Sequence, residues 1–439
     1  MTDASPPALP TDAASRTSAP SFATALRFWL KLGCLSFGGP AGQIALMQHE
    51  LVERRGWIDQ RRFLHGLNFC MLLPGPEAQQ LATYVGWRLH GVAGGLAAGL
   101  LFVLPGALVL LLLSWLAARH GDLAWVAALF DGVKPVVVAI IAAAVWRLGR
   151  KTLRGWAPPL LAAAAFLALA VLKIGFPWVV LGAGLIGWLS TRAGLALFGA
   201  GGHGPAGEEP AGPLPPPGRL VRLALVFALL WAGPVLAVLT LAGEQPWRDI
   251  AALFTKAAFV TFGGAYAVLP YIAEAAVNRY GWLDPATMVN GLALAESTPG
   301  PLILVTQYVG FFAGWNQPGT LPPLWAGVLG SALTTYVTFL PCFFFIFAGA
   351  PYVERLIHHR PAAGALAAIS AAVVGVILNL GVFLGLHVFQ PRPGETDPFA
   401  IALALAGLLA LLRWALPVHW LVLLGAGAGL ARAALLGLL

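Results

Sequence analysis

The chain has 439 residues, 59% of them hydrophobic and only 10% charged, with a formal charge of +8. A soluble protein needs roughly a quarter of its residues charged to cover its surface, so this composition excludes a water-soluble fold. The basic residues are scattered through short loops between apolar runs, the pattern that orients membrane segments, and they form no nucleic-acid-binding face.

Residues 1–21 read as a disordered tail. There is no basic residue before Arg16 and no apolar core, so they do not read as a signal peptide. Apolar segments follow at 22–47, 63–89, 92–117, 126–149, 157–173 and 176–197. Each is long enough, or nearly so, to cross a hydrocarbon core of ~30 Å. A Gly/Pro-rich linker at 199–219 has no periodicity. A lone apolar run at 220–242 reads as a connecting helix, and six more segments lie near 250–273, 287–314, 322–349, 362–388, 399–415 and 418–438. The 52 glycines and 34 prolines suit membrane helices, where small residues allow close packing.

The second set repeats the first. SFGG at Ser36–Gly39 returns as TFGG at Thr261–Gly264, GWID at Gly56–Asp59 as GWLD at Gly281–Asp284, and PGP at Pro74–Pro76 as PGP at Pro299–Pro301. One offset of 225 residues relates all three pairs, and 14 of 51 positions are identical between 26–76 and 251–301. The first repeat is therefore 22–198 and the second 243–439. Six crossings return the chain to its starting side, and 220–242 then carries it across. The expected fold is an all-α polytopic membrane protein with two inverted-topology repeats and about thirteen segments. The positive-inside rule supports this through Arg147, Arg150, Lys151 and Arg154. A loop carrying Arg54, Arg55, Arg61 and Arg62 runs against it and leaves open whether the first segment re-enters.

Paired glycines and Pro-Gly-Pro inside apolar segments predict broken helices. A helix that restarts after a break offers free N–H groups and the positive end of its dipole, a natural oxyanion site. The candidate substrate-binding residues are Ser36, Gly38, Gly39, Pro74, Gly75, Pro76, Thr261, Gly263, Gly264, Ser297, Thr298, Pro299, Gly300 and Pro301, with the hydroxyls as donors. Lys31 and Lys256 each sit five residues before a break in an apolar run. They read either as midplane charge for an anion or as helix-end residues that snorkel to the interface. Glu77 and Glu296 flank the PGP motifs and are candidates for proton coupling, with plain helix-start charge as the other reading of Glu77. Gln80 and Gln307 contact either substrate or neighbouring helices. Asp59 and Asp284 read as helix caps, and Trp57 and Trp282 as interfacial anchors. Cys34, Cys70 and Cys342 have no metal or disulfide spacing, and His358–His359 with Glu354 reads as a solvated loop cluster. No enzyme motif, metal or cofactor is expected.

FWLKLGCLSFGGPAGQIALMQ, GWID and LLPGPEAQQLATYVGWRLHG resemble the first domain of the chromate ion transporter family. LFTKAAFVTFGGAYAVLPYI and ESTPGPLILVTQYVGFFAG resemble its second. The resemblance implies a two-domain carrier in a bacterial inner membrane that exports chromate and confers chromate resistance. Sulfate, an isosteric dianion, is the competing substrate it implies. It carries over Lys31, Ser36, Phe37, Gly38, Gly39 and Pro74–Pro76, and in the second half Lys256, Phe262, Gly263, Gly264 and Pro299–Pro301. Pro40 is replaced by Ala265 in the second half. A passive anion channel on the same scaffold is the alternative. The expected partners are a chromate- or sulfate-like oxyanion and the lipid bilayer, with homo-oligomerisation left open.

Overall fold

Glycine and proline placement decides where these helices end. The computed structural model describes residues 20–438, apart from 38, 196, 199–215, 217, 263, 353–359, 393 and 415. Residues 1–19 of the tail, most of the linker, Gly38, Gly263 and the His358–His359 cluster with Glu354 lie outside the described residues. Among the described residues all regular structure is helical.

The first half comprises α1 (Phe22–Leu35), α2 (Gly39–Gln48) with a π-helical turn His49–Arg54, α3 (Gln60–Leu72), α4 (Glu77–His120), α5 (Ala124–Thr152), α6 (Ala157–Ala170) and α7 (Phe176–Arg192). Helix α8 (Gly218–Ala242) connects it to α9 (Trp247–Val260), α10 (Ala265–Glu274) with a π-helical turn Ala275–Arg279, α11 (Pro285–Ser297) and α12 (Val305–Asn316). Then come α13 (Pro323–Gly349), α14 (Arg360–Phe389), α15 (Pro398–Arg413) and α16 (Val418–Leu435). The two halves match in detail. Helices α1 and α9 both have 14 residues, α2 and α10 both 10, and α3 and α11 both 13, and each half carries a π-turn in the same place. Asp59 and Asp284 cap α3 and α11 by accepting the backbone N–H of Arg62 and Thr287.

Four of the expected segments are each split in two. The segments 22–47 and 250–273 break before Gly39 and Gly264, and 63–89 and 287–314 break at the Pro-Gly-Pro motifs. Six helices are long and apolar enough to cross a membrane: α4, α5, α8, α13 with its 3-10 extension, α14 and α16. The halves of the broken segments are too short for that individually.

Helix α4 has 44 residues. Straight, it would measure about 66 Å, far beyond a single bilayer. It reverses at His90 and Gly91, where φ of Gly91 is +62°. A Cβ on Gly86 would lie 2.4 Å from the Gly94 carbonyl oxygen, which only a hairpin allows. The limbs 77–90 and 91–120 therefore pack antiparallel. Helices α12 and α13 do the same through Gly310 against Gly330 and Gly314 against Ala326. Small residues give these hairpins close backbone approach, the usual adhesive of membrane helices.

The remaining helices exchange between halves. Helix α5 packs mainly on α15 and α16, and α14 mainly on α6 and α7. Helices α5 and α14 touch one another through Gly149 with Val374, Ile141 with Gly381, and Val138 with Gly385, at 3.2–3.7 Å measured from a Cβ placed on each glycine. Residue numbers rise on one helix as they fall on the other, so the two run antiparallel. One buried cluster extends through both halves, from Ala25 to Val422. Only 6% of the apolar window of α8 is buried, so that helix offers its surface to lipid.

Candidate functional site

The four breaks meet in crossed pairs. The Gly75 N–H donates to the Thr261 carbonyl at 2.7 Å, and the Gly300 N–H donates to the Ser36 carbonyl at 2.9 Å. Each Pro-Gly-Pro turn is thus joined to the glycine break of the opposite half. Gly75 and Gly300 have φ of +122° and +95°, which glycine adopts without strain. Broken backbone at membrane depth is tolerated only where protein satisfies it, and these bonds do so.

Side chains complete the crossing. The buried Gln43 amide donates to the carbonyls of Gly300, at 2.6 Å, and Ser36, at 3.2 Å. Gln80 donates to the Pro74 carbonyl at 2.7 Å. Gly106 on the second limb of α4 backs one break so closely that a Cβ there would lie 2.0 Å from the Pro299 oxygen. On the other side Cys342 of α13 backs Gly75, its Sγ lying 2.9 Å from where a Gly75 Cβ would be. Tyr266 at the start of α10 donates its hydroxyl hydrogen bond to the buried Glu296 carboxylate. Positive charge lies on α5, whose Arg147 donates to the Leu411 carbonyl at 2.9 Å. The arrangement is a closed, polar crossing with a buried carboxylate on one side and cations on an adjoining helix.

A family profile described as chromate transporter matches residues 23–188 and again 248–430. The chain belongs to the chromate transporter family. A chromate transport protein of Pseudomonas aeruginosa is 32% identical over 97% of this chain and 95% of its own length. One from Cupriavidus metallidurans is 29% identical over 88% of this chain and 87% of its own. An uncharacterized transporter of Bacillus subtilis is 33% identical over 29% of this chain and 64% of its own. No solved structure matches the chain. The family is one of transporters, not enzymes, and with the apolar helices above it makes the chain a multi-pass membrane protein.

Among the residues expected to serve such a transporter, Ser36, Pro74, Gly75, Pro76, Thr261, Gly264, Thr298, Pro299, Gly300 and Pro301 are buried at or beside the crossing, with Gly39 and Ser297 half-buried. The donors among them are already engaged. The hydroxyls of Ser36, Thr261, Ser297 and Thr298 donate back to Leu32, Ala257, Leu294 and Ala295 in their own helices. Serine and threonine at helix ends satisfy the preceding carbonyls in this way. These four therefore hold the helix ends and do not point donors at a ligand, and the Gly75 and Gly300 amides join the halves. Gln307 spans neighbouring helices, donating to the Ala107 carbonyl at 2.7 Å and accepting from Thr335 at 3.2 Å.

Lys31 and Lys256 stand elsewhere. Both are exposed on the outer faces of α1 and α9, and among the described residues neither makes an ion pair or hydrogen bond. Five helical residues place each about 140° around the helix from the residue at the break, so Ser36 and Thr261 turn inward while the lysines turn outward. The midplane charge expected of them is not at the crossing. Trp282 also departs from its expected interfacial role: it is buried and stacked on Tyr280 at 4.5 Å. Sequence reasoning overlooked Gln43, which has no counterpart in the second half, where the position is Val268. It also overlooked Tyr266. A glutamine in an otherwise apolar segment was the available signal for Gln43.

Proposed function

We propose that this protein is a secondary carrier that moves chromate outward across a bacterial inner membrane and so confers chromate resistance. The observation that carries the reading is the crossing of four broken helices within a chain whose full-length relatives bear the name chromate transport protein. Antiparallel packing of α5 and α14, which hold equivalent places in the two halves, supports two inverted repeats. The crossed pairs Gly75–Thr261 and Gly300–Ser36 fit the same two-fold relation. About thirteen membrane passages follow once each broken segment counts as a single passage.

The closed crossing favours a carrier over a channel, because an open channel needs a continuous wet path. In alternating access the crossed pairs would open in turn, never both together, and the anion would reach the amides each opening releases. Glu296 with Tyr266, and Glu77 at the start of α4, are the proton-coupling groups in this reading. Sulfate shares the tetrahedral shape and charge and competes. Radiolabelled chromate uptake into inverted membrane vesicles, with and without a proton gradient, tests the reading. Saturable uptake that sulfate inhibits and the gradient accelerates is the expected result. Uptake equal to that of vesicles lacking the protein would refute it.

A further inference from the structure

A carrier for a dianion needs positive charge somewhere along its path, because burying an uncompensated charge is costly. Lys31 and Lys256 face outward, so that charge lies elsewhere. Helix α5 ends with Arg147, Arg150 and Lys151, spaced i, i+3 and i+4 on one helical face, and Arg154 follows just past its end. They line a cleft of about 800 Å³ between the end of α5 and the turn joining α15 to α16. Among the described residues no acidic one lines it.

Several cations elsewhere have local acidic partners: Arg54 with Glu50, Lys134 with Asp131, Arg392 with Glu395 and Arg432 with Asp397. Among the described residues Arg150, Lys151 and Arg154 have none. Arg147 is aimed by its own bond, Nη2 to the Leu411 carbonyl at 2.9 Å. Helix-end dipole and membrane orientation would each favour cations here, but neither requires a cleft free of carboxylates.

The cleft also adjoins the crossing. Pro417 and Val418 form a stretch of its wall, and the next residue, His419, packs its ring 5.9 Å from that of Phe37 in the SFGG break.

We propose that this cleft is the cytoplasmic capture site for the transported tetrahedral oxyanion, an inference that rests on the carrier reading above. Arg150 and Arg154 draw the hydrated dianion in, and Arg147 and Lys151 form the inner step toward the crossing. The concentration of positive charge at this end of α5 places the cleft on the cytoplasmic side.

The test is the KM for radiolabelled chromate in inverted vesicles, where the cytoplasmic face is outward. A unit charge about 7 Å from a dianion changes its occupancy roughly sevenfold in solvent-like surroundings. The double variant R150Q/R154Q should therefore raise KM by roughly 50-fold, with Vmax little changed. The penalty should shrink in 1 M salt, where screening acts within about 3 Å. R150K/R154K should restore the parent KM, since a point charge suffices at a wet site. Arg248→Gln, which neutralises an exposed cation paired with Glu244, should leave KM unchanged.

A parent-like KM in R150Q/R154Q overturns the proposal, as does a defect that the lysine pair does not rescue. The lipid source of the same chemistry is tested in proteoliposomes. A defect of R150Q/R154Q seen with phosphatidylglycerol present and absent in neutral lipid would assign the cleft to a lipid phosphate and overturn capture of the free oxyanion. If the parent protein itself takes up no chromate, the carrier reading fails first and the cleft proposal falls with it.

Discussion

Replacing Gly106 by alanine tests the crossing through a residue outside the broken-helix motifs. A Cβ at Gly106 would sit 2.0 Å from the Pro299 oxygen, 2.9 Å from its carbonyl carbon and 3.0 Å from Leu304 Cδ1. Ordinary carbon–oxygen contacts begin near ~3.3 Å, so the second Pro-Gly-Pro turn must retreat by more than about 1 Å. Overpacking of this kind costs about 1–3 kcal/mol. If that cost falls on the conformation in which Gly300 is bonded to Ser36, transport slows roughly 5- to 150-fold. Gly427 on α16 provides the control, because a Cβ there meets nothing within 4 Å. Alanine at that site should be neutral or stabilise the helix by up to about 1 kcal/mol. Initial rates of chromate transport in inverted vesicles at matched membrane levels measure both. Gly106→Ala at the parent rate, or Gly427→Ala equally impaired, would refute the reasoning.

Gln43→Leu should reduce the transport rate strongly, because the Gly300 carbonyl loses its donor at 2.6 Å and a buried unsatisfied group costs about 1–3 kcal/mol; the same vesicle assay reads it. Glu296→Gln should remove the acceleration by a proton gradient while leaving chromate counterflow, and gradient-driven uptake at the parent rate would dismiss Glu296 as the coupling group. Lys31→Gln and Lys256→Gln should each keep the chromate KM within about threefold, since exposed charges on outer helix faces contribute little; a tenfold rise in either would extend the site to that face. Asp397→Ala should lower the unfolding temperature in detergent without changing KM. It removes the cap on the Phe399 and Ala400 amides and the 2.7 Å ion pair to Arg432.

The breaks are legible in the sequence because their cause is local. Paired glycines and Pro-Gly-Pro interrupt a helix whatever surrounds it, and the structure ends helices at Leu35, Leu72, Val260 and Ser297. The reversal at His90–Gly91 falls between two apolar segments that the sequence separates. What the breaks do is not local. Their position in the chain suggests the amides of Gly75 and Gly300 as ligands for an anion, yet they are spent on carbonyls 186 and 264 positions away. The hydroxyls of Ser36 and Thr261 turn back on their own helices for the reason that makes serine and threonine common at helix ends.

The outward placement of the lysines is legible in helical phase. A residue five positions before an inward serine faces away from it. The basic end of α5 reads in sequence as a topology signal, although the i, i+3, i+4 spacing of Arg147, Arg150 and Lys151 also marks a single helical face. Its meeting with the α15–α16 turn comes from the exchange of helices between halves, which sequence spacing does not encode.

Counterflow tests the central claim most directly. Purified protein in liposomes loaded with unlabelled chromate is diluted into radiolabelled chromate, and label is followed inside. A carrier that opens its crossing to one side at a time predicts saturable entry and transient accumulation of label above equilibrium. Entry proportional to concentration, unaffected by chromate on the far side, would show electrodiffusion and contradict the account.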